Sequence, residues 1–330
     1  MAVTLPARFP LAVLPTPLVR ARHLERALAS PPIYVKRDDL AGFGFAGNKA
    51  RKLEYIISDA LDRGAKVMVT GGGPSSNHCA STAAAARVAG LGCLLILYGV
   101  ERGGDHPSLS LARSFGAEVR FTNNPNRSSV DEAIEEVVAE LEDQGQQPYA
   151  VPRGGATVLG AAGCALAAEE LCGQLDLVDA KPATVILPTG SCGTQAGFVA
   201  ATAAYGDGLR VIGASVSRPV EECRRRVLQL ARGCASLLEM TIPDERRVHL
   251  IDARGPGFGL PSSEGVRAAR LAAYTEGLLL DSTYTAKAFA VLLDLVASGK
   301  YGTTVFFHSG GLPAALWDDQ RTRRPEPSLA

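Results

Sequence analysis

The chain has 330 residues, which is enough for one large domain or two modest ones with a substantial buried core. Apolar residues make up 46% of it, and 34 basic residues balance 34 acidic ones, so no net charge attracts it to nucleic acid or to a membrane. Seven cysteines without a Cys-x-x-Cys pair argue against a disulfide framework and a zinc ribbon, so we expect a cytoplasmic protein whose partners are small neutral or zwitterionic molecules.

Short β-rich runs alternate with longer helical patterns from residue 33 onward. This alternation predicts βα units around a mostly parallel sheet, and therefore an α/β fold. Several of the runs are continuously apolar, as in strands buried on both faces. Helical spacing occurs between them, most clearly at 48–64 and 130–145. The predicted strands are 33–37, 65–71, 93–99, 117–122, 183–190, 210–217, 247–253 and 303–310.

The weakest join along the chain lies near "QPYAVPRGGATVLG", at residues 147–160. We therefore expect a smaller α/β domain over residues 50–153. It would be inserted into a larger domain formed by residues 1–49 and 154–330.

One glycine-rich turn follows an apolar strand in "VILPTGSCGTQAG" and leads into a helix. Glycines allow a ligand to approach the backbone closely, and free N–H groups at a helix start bind anions such as phosphate. Neither G-x-x-x-x-G-K-[ST] nor G-x-G-x-x-G with a later acid is present, which excludes the usual ATP and dinucleotide fingerprints. The turn predicts a phosphate site of another kind, although an ordinary strand-to-helix turn has the same pattern.

A second glycine turn, "VTGGGPSSNHCASTAAAA", places Ser75, Ser76, Asn77 and His78 before an alanine-rich helix. Hydroxyl, amide and N–H donors gathered at a helix start suit a carboxylate. A single serine at this position is more commonly only an N-cap, so the cluster supports both a binding and a capping interpretation.

Lys49 stands between the flexible "GFGFAGN" and a helix, where a cation opposes the helix dipole unless it is neutral or bonded elsewhere. Lysine amines are suited to covalent attachment of pyridoxal phosphate (PLP). Other lysines, including Lys52 and Lys66, are interpreted as solvated surface charges.

Six motifs occur in the order seen in a known family: "KRDDLAGFGFAGNKARKLE", "SSNH", "TGSCGTQAG", "GPGFGLP", "DSTYTAKA" and "HSGGLPAAL". Over nearly its whole length the chain resembles the PLP-dependent D-cysteine desulfhydrase and 1-aminocyclopropane-1-carboxylate (ACC) deaminase family. The resemblance implies the tryptophan-synthase-β-like fold, with two open, twisted, mostly parallel α/β domains and the cofactor in the cleft between them. It also implies a homodimer that acts on a small amino acid.

The resemblance implies a role for each matching position. Lys49 would hold PLP through its amine and then move the substrate proton, while Asn77 would bond the cofactor's phenolic oxygen. Ser76 and His78 would frame the substrate carboxylate, and Tyr284 would stack beside the substrate or move protons. The phosphate would be held by the turn residues Gly190, Ser191, Cys192, Gly193 and Thr194.

Two positions divide the family, and this chain has hydroxyls at both, Thr285 and Ser309. By the resemblance they imply that a hydroxyl, and not a carboxylate, holds the pyridine nitrogen. Such a ring is a weaker electron sink, adequate for β-elimination. The hydroxyls therefore favour the desulfhydrase type over the deaminase type.

The chain departs from the family at Phe258, where a tyrosine is usual, and at Ser75 and the residues after His78. A missing phenol weakens any mechanism that uses it, so the substrate need not be D-cysteine itself. We expect an α,β-eliminating lyase most like D-cysteine desulfhydrase, with ACC deaminase or a β-replacement synthase as the alternatives. No metal is expected, because the five histidines lack metal-ligand spacing. A non-catalytic ligand binder is disfavoured because it would not need Lys49.

Overall fold

The computed structural model describes residues 7–101, 106–205 and 208–322. The strands within these ranges are β1 (Leu18–Arg20), β2 (Ile33–Lys36), β3 (Val67–Gly72), β4 (Gly92–Leu97), β5 (Glu118–Phe121), β6 (Pro148–Ala150), β7 (Ala183–Thr189), β8 (Leu209–Ser215), β9 (His249–Asp252) and β10 (Thr303–Phe307). The α-helices are α1 (Arg22–Leu28), α2 (Asn48–Asp62), α3 (Asn77–Val88), α4 (Pro107–Ser114), α5 (Ser129–Asp143), α6 (Val158–Leu177), α7 (Gly193–Tyr205), α8 (Val220–Leu237), α9 (Ser263–Glu276), α10 (Thr285–Ala297) and α11 (Leu312–Thr322).

The larger of two sheets has six strands in the order β1-β2-β10-β7-β8-β9. β1 is antiparallel to β2, and every other neighbouring pair is parallel. Helices α6, α7 and α8 pack together beside β7 and β8 and bury the largest apolar cluster of the described residues. The parallel strands and their connecting helices confirm the predicted α/β class.

The smaller sheet has four parallel strands in the order β5-β4-β3-β6. Its core joins β3 and β4 to α2, α3 and α4. All four strands fall inside residues 50–153, and the six strands of the larger sheet fall outside that range. The strands are therefore distributed as the expected two-domain division requires.

All eight predicted strands are present, with ends within three residues of those expected. The sequence analysis missed β1 and β6, which have three residues each and lie at sheet edges. A strand that short carries too few alternating positions to show a period, and Pro148 in β6 is tolerated because an edge strand need not donate on both sides.

Helix α6 is apolar on all sides and, by length and composition alone, could cross a membrane. Most of its residues are instead buried inside the protein, where it packs against α7, α2 and α8. A helix that is hydrophobic all round is expected at such a central position.

A buried ion network fixes α2 to the larger sheet. The Arg51 guanidinium donates to both carboxylate oxygens of Asp38 at 2.9 Å, and to both oxygens of Glu170 at 3.0 Å. Lys36 adds a second cation, which donates to Glu170 and, at 2.6 Å, to the carbonyl oxygen of Thr16. Two cations therefore face two carboxylates, and the network is neutral.

Candidate active site

A cavity lies where the carboxyl ends of β3, β7, β8 and β10 meet the starts of α2, α3 and α7. Open parallel sheets bind their ligands at this end of the strands. Twelve of the predicted site residues line the cavity, and Gly193 and Thr285 are the two that do not. The twelve are Lys49, Ser75, Ser76, Asn77, His78, Gly190, Ser191, Cys192, Thr194, Phe258, Tyr284 and Ser309.

Lys49 is held at the first turn of α2 by a tight backbone contact. Gly47 has φ 55°, and a Cβ there would lie 2.3 Å from the carbonyl oxygen of Ser309, so only glycine fits. The Lys49 Nζ donates to Asn48 Oδ1 at 3.1 Å. Burial, and then the neighbouring Lys52 ammonium, lower the pKa of Lys49 from 10.5 to about 7. A substantial fraction of the amine is therefore neutral near pH 7 and can act as a nucleophile or base.

Lys52 is buried, so the interpretation of this residue as a surface charge was wrong. Its side chain is 1% exposed, whereas Lys66 is exposed as expected. The reason is that α2 packs against both α3 and α6, which leaves little of its first three turns in solvent. The Lys52 Nζ has one weak hydrogen bond, to the carbonyl oxygen of Gly154 at 3.4 Å, and burial lowers its pKa.

The turn between β7 and α7 presents donors beside that ammonium. A Cβ at Gly193 would lie 3.0 Å from Lys52 Nζ, so the lysine sits against the start of α7. The first intrahelical hydrogen bond runs from Ala196 N to the Cys192 carbonyl oxygen, which leaves the N–H groups of residues 193–195 without helical partners. Cys192 itself has φ 75°, a left-handed conformation that is uncommon outside glycine.

The serine turn before α3 caps its helix, and its binding role stays a prediction. Ser76 caps the helix, because its Oγ accepts from Cys79 N at 3.2 Å, and it also lines the cavity. His78 is buried between α3 and β3, with Nε2 at 3.0 Å from Thr70 Oγ1. Since Thr70 donates its own hydrogen to the Val151 carbonyl oxygen, His78 must donate from Nε2. Burial and then Lys49 hold the pKa of His78 well below its usual value, so the ring is neutral.

Tyr284 lies across the cavity from the serine turn. Its Cε1 would be 3.0 Å from a Cβ at position 190, which explains the need for Gly190. The ring packs edge-on against Phe258, with centroids 6.0 Å apart. Burial, and then Asp281, raise the pKa of the Tyr284 phenol, so it stays protonated and can donate but not remove a proton at neutral pH.

Thr285 does not line the cavity, and its expected contact with the cofactor stays a prediction. Its Oγ1 accepts from Asp281 N at 2.8 Å and donates to Asp281 Oδ1 at 2.7 Å, so its one hydrogen is already bonded. Asp281, which the sequence analysis missed, lines the cavity and also accepts from the N–H groups of Tyr284 and Thr283. Of the two family-dividing residues, Ser309 lines the cavity and Thr285 does not.

Three arginines at the cavity, Arg127, Arg153 and Arg218, were also missed. Arg127 lies between β5 and α5, Arg153 follows β6, and Arg218 follows β8. Because the three positions are far apart in the chain, no local motif links them. Only for Lys52 could the sequence have indicated a place at the site, because it is three residues after Lys49 and therefore on the same helix face.

The donor set of the cavity fits pyridoxal phosphate. A buried lysine without an acidic partner lies against a glycine turn with free N–H groups, which is a site for a phosphate dianion. Lys49, with a pKa of about 7, lines the cavity next to this turn and suits the cofactor's aldehyde.

Comparisons with known proteins agree with this fit. The sequence model of the pyridoxal-phosphate dependent enzyme family matches residues 10–310. A Pyrococcus abyssi protein provisionally named 1-aminocyclopropane-1-carboxylate deaminase is 37% identical over 314 residues, which is 93% of each chain. D-cysteine desulfhydrase from Yersinia pestis is 36% identical over 311 residues, covering 91% of this chain and 92% of that protein. The solved structure of an ACC deaminase homologue superposes with a TM-score of 0.88 at 32% identity, covering 96% of this chain and 95% of that one.

The chain therefore belongs to the pyridoxal-phosphate dependent enzyme family. It is an enzyme, and its cofactor is pyridoxal phosphate. The family and cofactor expected from the six motifs are confirmed.

Proposed function

We propose that this enzyme is a lyase that eliminates the β-substituent of a small amino acid, with D-cysteine as the lead substrate. The observation that carries the proposal is a pair of lysines on one helix: the buried Lys52 against the glycine turn, and the partly buried Lys49 with a pKa of about 7. The relatives named D-cysteine desulfhydrase support the substrate class.

Different residues of the chain hold different parts of the cofactor. Lys52 and the N–H groups at the start of α7 hold the phosphate, and Lys49 carries the cofactor covalently. Asn77 bonds its phenolic oxygen, and Ser309 offers the hydroxyl for the pyridine nitrogen. When bound, pyridoxal phosphate supplies an electron sink for the negative charge that develops at the substrate Cα.

Proton transfer falls to two residues with opposite pKa shifts. Lys49 accepts the proton from the substrate Cα, because its amine is neutral at a lower pH than an ordinary lysine. Tyr284 remains a phenol and donates to the departing β-substituent. Ser75, Ser76 and the N–H groups at the start of α3 bind the substrate carboxylate and fix the orientation of Cα.

The test is product analysis with two substrates. We expect D-cysteine to yield sulfide, pyruvate and ammonia in equal amounts, and ACC to yield little 2-oxobutyrate. A faster reaction with ACC would transfer the assignment to the deaminase named among the relatives. A new amino acid formed on addition of a thiol or amine nucleophile would identify a β-replacement synthase instead.

We also infer that the enzyme works as a homodimer in the cytoplasm and that its domains divide at residues 50–153. The seven cysteines, all buried and free, support a reducing compartment. The resemblance to homodimeric relatives supports the dimer, which light scattering can test. The separate cores of the two sheets support the division, and limited proteolysis near residue 50 or 153 can test it.

A further inference from the structure

Arg127 lines the cavity as a cation without an acidic partner. Its guanidinium carbon lies 3.7 Å from the ring centroid of Phe258, a stacked cation–π contact. Among the residues that the structure describes, it has no hydrogen bond and no ion pair. The guanidinium is therefore held in place by stacking, and its five N–H donors are available to a ligand.

Two further arginines border the same part of the cavity. Arg153 is neutralised by Asp131, to which its Nε donates at 2.7 Å. Arg218 donates through Nη1 to Glu222 at 2.5 Å, but its buried Nε has no hydrogen-bond partner in the described structure. An unsatisfied buried donor of a charged group is costly. Because this Nε has almost no accessible surface, Arg218 offers a ligand in the cavity its positive charge and not this N–H.

The charge in this region is unbalanced. Burial, and then the neighbouring guanidinium of Arg153, lower the pKa of Arg127, although the phenol of Tyr284 opposes them. Asp281 is the one acid that lines the cavity among the described residues, and its oxygens accept from the start of α10. An anion beside Arg127 would relieve the repulsion and replace the lost hydration of its guanidinium.

The charged and polar groups around Arg127 differ from those around Lys52. Lys52 interacts electrostatically with Lys49, His78, Cys164 and Cys192, whereas Arg127 interacts with Tyr98, Arg153, Arg218 and Tyr284. The cofactor phosphate therefore has its own cation. The substrate carboxylate likewise has the donors at the start of α3, so the arginines suit a third negative group.

We propose that Arg127, stacked on Phe258, forms with the neighbouring charge of Arg218 a subsite for an acidic group on the β-substituent of the substrate. The proposal rests on the proposed lyase function and places amino acids with a carboxylate, sulfonate or phosphate on the side chain ahead of D-cysteine as substrates. Phe258 is then a positioning residue: its flat ring supports the guanidinium, a role for which no phenol is needed.

The test compares two nearly isosteric substrates, S-carboxymethylcysteine and its neutral amide, S-carbamoylmethylcysteine, each as D and L forms. Elimination breaks the Cβ–S bond and releases thioglycolate or its amide, while water converts the remaining fragment to pyruvate and ammonia. We expect kcat/KM to favour the acid by about tenfold to a hundredfold, mainly through KM, as one or two charge-assisted hydrogen bonds provide. Equal rates, or a preference for the amide, would overturn the proposal.

Variants test which residues cause the preference for the acid over the amide. Arg127→Gln is expected to bring the acid-to-amide ratio close to one, and Arg127→Lys to restore part of it. Arg120→Gln, which changes an exposed arginine of β5 outside the cavity, should leave the ratio unchanged. If Arg127→Gln lowers kcat/KM for both substrates equally, Arg127 binds the α-carboxylate and the proposal is wrong. If Arg127→Gln instead binds the cofactor more weakly, Arg127 holds the cofactor, and the proposal is also wrong.

Equilibrium binding separates this proposal from the lyase assignment. We expect calorimetry with the holoenzyme to show that one enantiomer of glutamate binds at least about tenfold more tightly than the same enantiomer of glutamine, with the difference lost in Arg127→Gln. No preference for glutamate would contradict the subsite. If neither D-cysteine nor the thioethers react while glutamate is still preferred, the lyase function fails and the anion subsite stands.

Discussion

Helix α2 carries two sets of buried cations that differ in their partners. Arg51 faces Asp38 and Glu170 in a neutral network, and although burial opposes it, these carboxylates raise the pKa of the guanidinium. Lys49, which is partly buried, and Lys52, which is fully buried, lie on the same helix and have lowered pKa values, because no carboxylate compensates the burial of either.

The difference separates a structural charge from a functional one. A buried ion pair whose hydrogen bonds are complete has no further capacity for a ligand. A buried ammonium without an acid is unfavourable in the protein alone, and it becomes favourable when an anion or an aldehyde occupies the cavity. The Arg127 cluster at the other side of the cavity follows the second pattern.

The largest expected effect is on catalysis. Lys49→Ala should lower turnover by about a thousandfold or more, because the residue that moves the proton and carries the cofactor is lost. The measurement is steady-state turnover together with the visible absorption spectrum, with the exposed Lys66→Ala as the control. Full activity in Lys49→Ala would reject the assignment of this lysine.

Arg51→Met should destabilise the folded protein by about 3–5 kcal/mol, since Asp38 and Glu170 would remain buried without a cation. Arg63→Met, at the end of the same helix, breaks an exposed pair with Asp59 and should cost at most about 1 kcal/mol. Urea denaturation of the three proteins measures both changes. Equal losses in the two variants would remove the distinction between buried and exposed pairs.

Lys52→Met should weaken pyridoxal phosphate binding by about tenfold to a hundredfold, as expected for loss of a charge-assisted hydrogen bond to the phosphate. The apoenzyme should be as stable as the wild type or more stable, because an uncompensated buried charge has been removed. Cofactor titration and denaturation of the apoenzyme test the two halves separately. A variant that loses stability but keeps its affinity would identify Lys52 as structural.

The smallest effect is a pH slope in the apoenzyme. Because the pKa of Lys49 falls from 10.5 to about 7 on folding, the unfolded chain binds one more proton between these pH values. The unfolding free energy should therefore rise with pH in this interval by about 1.4 kcal/mol per unit from this residue, and not below pH 7. Denaturation at pH 7.5 and 9 measures this slope. In Lys49→Met the unfolding free energy should rise less steeply with pH than in the wild type, by about 1.4 kcal/mol per unit. Identical slopes would contradict the lowered pKa.

Local sequence signals were sufficient for the sheets and for part of the site. Short β-rich runs predicted every strand longer than three residues, and several of these runs are continuously apolar, because burial on both faces leaves a pattern within a few positions. The two glycine turns and Lys49 were predicted for the same reason, since a strand, a turn and a helix start are contiguous in the chain. They line one cavity in the structure.

The remaining site residues depended on contacts between distant parts of the chain. Lys52 is buried only because α2 packs between α3 and α6, and the direction of Thr285 is decided by Asp281. Phe258 and Arg127 are more than a hundred residues apart, yet they stack at 3.7 Å.

The sequence alone therefore determined the α/β class and the cofactor, and it predicts Lys49 as the attachment point, because each leaves a contiguous motif. The tertiary structure decided which charges are paired, and hence which can bind a ligand. Burial and charge balance depend on residues that meet only when the chain has folded, and no local pattern records them.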